Sequence, residues 1–169
     1  IVPDAGTPDS RMIEVAEKSL LWLKFTTLGK QAHGSTPEKG VNSFKAASFL
    51  IAALDDLYRI YPARDKLFDT PISTFEPTKK EGNVPNINTI PGEDVFYLDS
   101  RILSDYKVQD VEKSIQAIAR KVERKFKVKI HTEVVQKAPA APPTSLQAPV
   151  VMALKKAVKA VYGNEARAM

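Results

Sequence analysis

The chain has 169 residues, of which 43% are hydrophobic and 27% charged, enough for one domain with a real core and part of another. Cysteine is absent and histidine occurs only at positions 33 and 131. That excludes disulfides, thiolate nucleophiles, Cys-ligated metal sites and a self-contained His-rich metal site.

Pro3 to Ser10 reads as loop. Ser19 to Leu28 alternates, with Leu21, Leu23 and Phe25 facing one way and Trp22, Lys24 and Thr26 the other, and predicts a strand. Residues 31–40 are polar and irregular. Val41, Phe44, Ala47, Leu50, Leu54, Leu57 and Tyr61 then recur at spacings of three and four, predicting a helix with this set as its buried stripe. Asn42 is its expected N-cap and Pro62 its stop.

Pro71 to Pro77 is short and β-prone, 79–86 reads as loop, and Asp94 to Leu103 predicts another strand. Val108, Val111, Ile115, Ile118 and Val122 form the stripe of a second helix, acidic early and basic late, as the helix dipole favours. Phe126 to Val134 alternates with lysines, His131 and Glu133, a strand with one wet face. Residues 138–143 form a proline-rich linker. Pro149 to Gly163 predicts a third helix, with Val150, Leu154, Val158 and Val161 on one side.

The order from 19 to about 136 is β-α-β-β-α-β. It predicts an α+β, ferredoxin-like unit: a four-stranded antiparallel sheet with two helices on one face. The loop at the start and the last helix lie outside that unit. Ile1 is no initiator and Met169 follows a helix closely, so a piece of a larger protein is expected. No apolar run approaches the ~20 residues of a membrane span, and no secretory leader is apparent. With no cysteine, a cytoplasmic location is expected. The net charge of +5 is scattered as lysines and reads as a solvated surface, so neither a nucleic-acid nor a membrane partner is expected.

Chemistry concentrates in one loop, Lys30-Gln31-Ala32-His33-Gly34-Ser35-Thr36-Pro37-Glu38-Lys39-Gly40. A histidine in a polar, glycine-flanked loop ahead of a helix is poor core material. It could donate to developing negative charge, or simply close a turn. Arg101 stands two residues from Asp99 on one strand face, which allows a plain ion pair. Asn88 could satisfy a turn.

The run Ala32-His33-Gly34-Ser35-Thr36-Pro37-Glu38-Lys39-Gly40-Val41-Asn42 resembles the histidine loop in the dimerisation (lid) domain of the dinuclear zinc amidohydrolases. That family includes succinyl-diaminopimelate desuccinylase, acetylornithine deacetylase, carboxypeptidase G and the aminoacylases. Leu21 to Phe25 resembles the first lid strand, Asn88-Thr89-Ile90-Pro91 an Asn-Val-Ile-Pro motif, and Leu98-Asp99-Ser100-Arg101 the strand that follows. Val2 to Gly6 resembles the segment bearing a late metal ligand, and Pro149 to Gly163 the helix that re-enters the catalytic domain. Ser19 stands where the family is expected to have glycine.

The resemblance implies three segments. Residues 1–18 would end one half of a catalytic α/β domain, 19–137 would be the lid, and 138–169 a linker and re-entry helix. It implies that His33 reaches across a homodimer to stabilise the oxyanion. Asn88 and Arg101 would bind substrate, with Arg101 forking onto a carboxylate, and Asp4 would be a terminal metal ligand. It implies a hydrolase of N-acyl amino acids or small peptides with two zinc ions per site, replaceable by cobalt. Most of their ligands and the glutamate base cannot be placed here, so the chain alone is expected to be inactive and to hold no zinc. Two other readings start from the same fold: a ligand-binding regulatory or dimerising module without catalysis, and an RNA-binding sheet using Phe96 and Tyr97.

Overall fold

The computed structural model describes Pro8 and residues 11–168. Strands run β1 (Met12–Ile13), β2 (Ser19–Leu28), β3 (Ala32–His33), β4 (Thr74–Lys80), β5 (Thr89–Ile90), β6 (Glu93–Ile102), β7 (Lys129–Ala138) and β8 (Arg167–Ala168). Helices are α1 (Ser43–Leu54), α2 (Asp56–Ile60), α3 (Val108–Phe126) and α4 (Pro149–Tyr162). The main sheet has the order β4-β6-β2-β7, antiparallel throughout. That is the ferredoxin-like sheet expected from the sequence.

Alternation decides the sheet's two faces. Leu21, Leu23 and Phe25 of β2, Phe96 and Leu98 of β6, and Phe75 of β4 are fully buried under α1 and α3. Phe25 and Phe96 stack with ring centres 4.7 Å apart. Val111, Ile115, Ile118 and Val122 of α3 close this core against Ala46, Ala47, Leu50 and Leu54 of α1. The opposite face carries Trp22, Lys24, Tyr97 and Arg101.

A second, smaller apolar cluster lies outside the sheet unit. Ile13, Val15 and Val151 are buried there, with Leu67, Ala148 and Leu154 packed around them. The parallel β1–β8 pair and the Thr144 N–H donating to the Val15 carbonyl tie its parts together. No helix among the described residues is long and apolar enough to cross a membrane.

Several local expectations need correction. Phe44 is not in the stripe of α1: it is 46% exposed, because Ser43, Ala46, Ala47 and Leu50 occupy the inward face. The first helix also breaks at Asp55 into α1 and α2. Strand β4 continues through Lys80, where a loop was expected, with a bulge between Pro77 and Lys79. Proline is tolerated there because β4 is an edge strand. Phe126 ends α3 instead of starting the last strand and packs on Phe49, ring centres 5.2 Å apart. In α4 the inward face is Val151, Leu154 and Val158, while Val150 and Val161 are exposed.

Candidate functional site

The histidine loop is built from backbone outward. Lys30 and Val41 exchange two backbone hydrogen bonds of 2.8 Å, which closes the loop at its base. Asn42 then caps α1 as expected, its side chain accepting from Lys45 N–H at 2.9 Å. The Asn-Thr-Ile-Pro segment straps the loop from the other side. The Gly34 N–H donates to the Asn88 carbonyl at 2.6 Å, Thr89 pairs with His33, Ile90 pairs with Ala32, and the Pro91 carbonyl accepts from Ser43 Oγ at 2.8 Å. A Cβ at Gly34 would sit 3.1 Å from the Asn88 carbonyl oxygen, so this close approach favours glycine.

His33 and Asn88 are thus neighbours, both exposed. The Ser35 backbone N–H points at His33 Nδ1, 3.2 Å away, and Ser35 Oγ lies 2.7 Å from the same nitrogen. A backbone N–H can only donate, so Nδ1 accepts, and the neutral ring then carries its proton on Nε2. That is a donor facing outward from a fixed loop, the arrangement an oxyanion needs. Asn88 Oδ1 accepts from Thr89 Oγ1 at 3.3 Å, and its carbonyl is the group that holds the loop.

Arg101 is elsewhere. It lies near the far end of β6, about 27 Å from Glu93 at the ~3.4 Å rise per residue of an antiparallel strand. The ion pair with Asp99 is present: Nε donates to Oδ1 at 2.8 Å and Nη2 to Oδ2 at 3.1 Å. Arg101 borders a cleft of about 750 Å³ with Lys18, Leu20, Phe68, Thr74 and Gln136. Lys18 was given no role from the sequence. Its Nζ donates to the Thr70 and Ile72 carbonyls at 2.7 and 2.5 Å and sits 5.2 Å from the Phe68 ring centre. Burial, then the charge of Arg101, hold Lys18 below the usual lysine range, with Asp65 opposing. Only the three-dimensional arrangement reveals Lys18, because a lone lysine ahead of a strand carries no sequence signal.

Asp4 lies outside the described residues. Among the described residues no group of three or more His, Asp or Glu side chains could hold a metal ion. Phe96 is buried in the core and Tyr97 Oη donates to Glu81 at 2.6 Å. Of the two aromatics named for an RNA-binding sheet, Phe96 thus faces the core and only Tyr97 lies on the open face.

Residues 15–127 match the peptidase dimerisation domain family. Uncharacterized metallohydrolases of Methanococcus maripaludis and Methanocaldococcus jannaschii are each 38% identical to the chain, over 98% and 99% of its length. The chain spans 43% of the length of each. Among solved structures, AtUAH in complex with glyoxylate superposes with a TM-score of 0.76 at 20% identity, over 94% of this chain and 36% of that one. A tripeptidase of Staphylococcus aureus superposes with a TM-score of 0.70 at 16% identity, over 94% and 39%. The fold and the strapped histidine loop define a dimerisation-type α+β lid. The chain belongs to the M20 peptidase dimerisation domain family.

Proposed function

We propose that this chain is the lid of a longer, metal-dependent hydrolase of amide bonds in N-acyl amino acids or small peptides, and that it works as a homodimer. His33 from one subunit donates through Nε2 to the oxyanion formed in the other subunit's site, with Asn88 beside it. Arg101 of that other subunit takes the substrate's carboxylate. The metal, zinc in this reading, is held by the remainder of the longer protein, with Asp4 as one ligand. Residues 1–18 and 138–169 belong to that remainder, in keeping with the separate small cluster they form with Leu67.

One observation carries the reading. His33, on the separate β3–β5 pair that follows the Leu28 end of β2, and Arg101, on β6, lie toward opposite ends of the main sheet, and the chain leaves the sheet unit at the Arg101 end, where Leu20 pairs with both Arg101 and Ala138. A catalytic body attached there meets its own Arg101 but not its own His33. A partner's histidine loop supplies the missing donor. The outer face of α1 suits the pairing. It exposes Phe44, Ser48, Phe49 and Ala52 with a single charge, Lys45, whereas α3 exposes Lys113, Arg120, Lys121 and Arg124. A helix face with two exposed aromatic rings, even with Lys80 and Lys125 set over them, is less charged than α3 and is the kind a twofold partner covers.

The test is complementation in the full-length protein. The variants His33→Ala and Arg101→Ala, each made alone, should lose orders of magnitude in metal-dependent release of amine from N-acetyl- or N-succinyl-amino acids. Mixed as random dimers, half the population pairs an intact Arg101 with a partner's intact His33. One site in each such dimer is whole, so activity should return to about a quarter of wild type. No recovery on subunit exchange would place His33 and Arg101 in the same subunit's site, or in no common site.

A further inference from the structure

We infer that Asp99 is a positioning residue that makes Arg101 a pre-oriented, end-on fork for a carboxylate. The inference rests on the reading above, in which Arg101 meets the substrate. A guanidinium offers two bidentate edges, Nε with one Nη and the pair of Nη atoms. Asp99 takes the first at 2.8 and 3.1 Å. The second is left free, so a substrate carboxylate engages Arg101 end-on, and the side-on fork is closed to it.

The plane of the guanidinium is fixed from a second direction. Trp22 pairs with Asp99 across β2 and β6, and its ring centre lies 6.0 Å from the Arg101 guanidinium carbon. Leu20 and Thr74, the cross-strand partners of Arg101, line the cleft that Arg101 borders. At a half-exposed position such a pair adds little to stability. Its effect falls on binding: rotamer freedom that a loose arginine would lose with its ligand is lost already on folding. Glu14, Glu17 and Lys18 line the same cleft, so net charge does not choose the ligand; the free edge of Arg101, with two parallel donors, selects a carboxylate that can accept both hydrogen bonds.

Two measurements test this. In this chain, the Arg101 Nε–H should give a resolved, slowly exchanging NMR correlation. Asp99→Asn should move it to the position of free arginine while the backbone amide spectrum is retained. An Arg101 Nε–H that already exchanges like free arginine in the wild type overturns the proposal. In the full-length enzyme, the probes are N-acetyl- and N-succinyl-amino acids and their α-carboxamides. Asp99→Asn should raise KM for the acids about tenfold, the scale of one charge-assisted contact, with kcat within about twofold and the carboxamides unchanged. Arg101→Ala should raise KM for the acids further. If Arg101→Ala discriminates acid from amide and Asp99→Asn does not, the positioning role fails and the reading of Arg101 stands. If Arg101→Ala does not discriminate, or no probe is turned over, the underlying reading fails.

Discussion

The two ends of the main sheet are held by different kinds of bonding. At the His33 end the loop is framed by backbone pairs, Lys30 with Val41, Gly29 with Gly92, Gly34 with Asn88 and the β3–β5 pair, with side chains such as Ser43 and Asn42 adding to them. At the Arg101 end the ties run through side chains. Lys18 reaches two carbonyls, Ser73 Oγ accepts from the Leu103 N–H at 3.0 Å, Ser19 Oγ accepts from the Ala140 N–H at 2.9 Å, and Asp99 grips Arg101. A loop framed by peptide pairs inherits the stiffness of peptide geometry, which has few soft torsions. A cleft beside the segments joining two packed clusters is set by side chains, which can be altered singly. The difference predicts which substitutions are severe.

The most severe is Gly29→Ala. An added Cβ would lie 2.1 Å from the Val41 carbonyl oxygen and 3.2 Å from Ser43 N, both backbone atoms. The closing pair of the histidine loop must then move. We expect a loss of about 3 kcal/mol, the scale of strain against a packed backbone, with faster amide exchange at Lys30 and Val41. Unchanged protection there would show that the loop does not depend on this contact.

Next comes Asp94, a deeply buried charge beside this loop system. The Asp94 side chain is fully buried, paired with Lys80 Nζ, and accepts from Asn83 Nδ2 at 2.8 Å. It therefore anchors the start of the segment that ends in Asn88. Asp94→Ala should cost about 2 kcal/mol in urea unfolding. That is below the usual cost of breaking a buried pair because Lys80 remains partly exposed and can rehydrate. The variant's activity should fall with Asn88 placement even where the protein stays folded.

These two residues also mark what the sequence could and could not convey. Period-two alternation placed Leu21, Leu23 and Phe25 in the core because a strand under helices leaves no other arrangement. Asn42 was legible as a cap for an equally local reason. His33 was visible as chemistry, but its pairing with Thr89, which sets Asn88 next to the loop, arises only when β3 and β5 meet, a tertiary event with no periodic signature. Phe44 misled because α1 is apolar on more than one face, and spacing alone cannot choose between them. Val150 and Val161 misled likewise: the small cluster of Ile13 and Val15 sets the face of α4, and neither residue says so locally. Asp94 read as an ordinary first strand residue, since burial of a carboxylate depends on the Lys80 and Asn83 it meets.

The Arg101 end offers the milder counterpart. Ser19 occupies the position where glycine was expected, and its hydroxyl accepts the Ala140 N–H just past the end of β7. Ser19→Gly should cost about 1 kcal/mol, one hydrogen bond plus some chain entropy. The loss should appear as faster exchange at Ala140 with no change at Lys30 or Val41. A spread to the histidine loop would mean that the two ends of the sheet are coupled.

The smallest effect should be a gain. Lys127 follows α3 with φ of 57°, the left-handed conformation, and its N–H caps the Glu123 carbonyl. Glycine adopts that conformation without the Cβ clash that costs other residues about 1–2 kcal/mol, but it also adds freedom to the unfolded chain, worth about 0.4–1 kcal/mol. The difference leaves Lys127→Gly more stable by about 0.5 kcal/mol. The turn feeds β7, whose first residue, Lys129, pairs with Leu28 at the His33 end. If that end is governed by backbone geometry, relieving strain there should raise the melting temperature slightly and slow exchange along the start of β7. A net loss of stability would show that the Lys127 side chain contributes more than its backbone conformation costs.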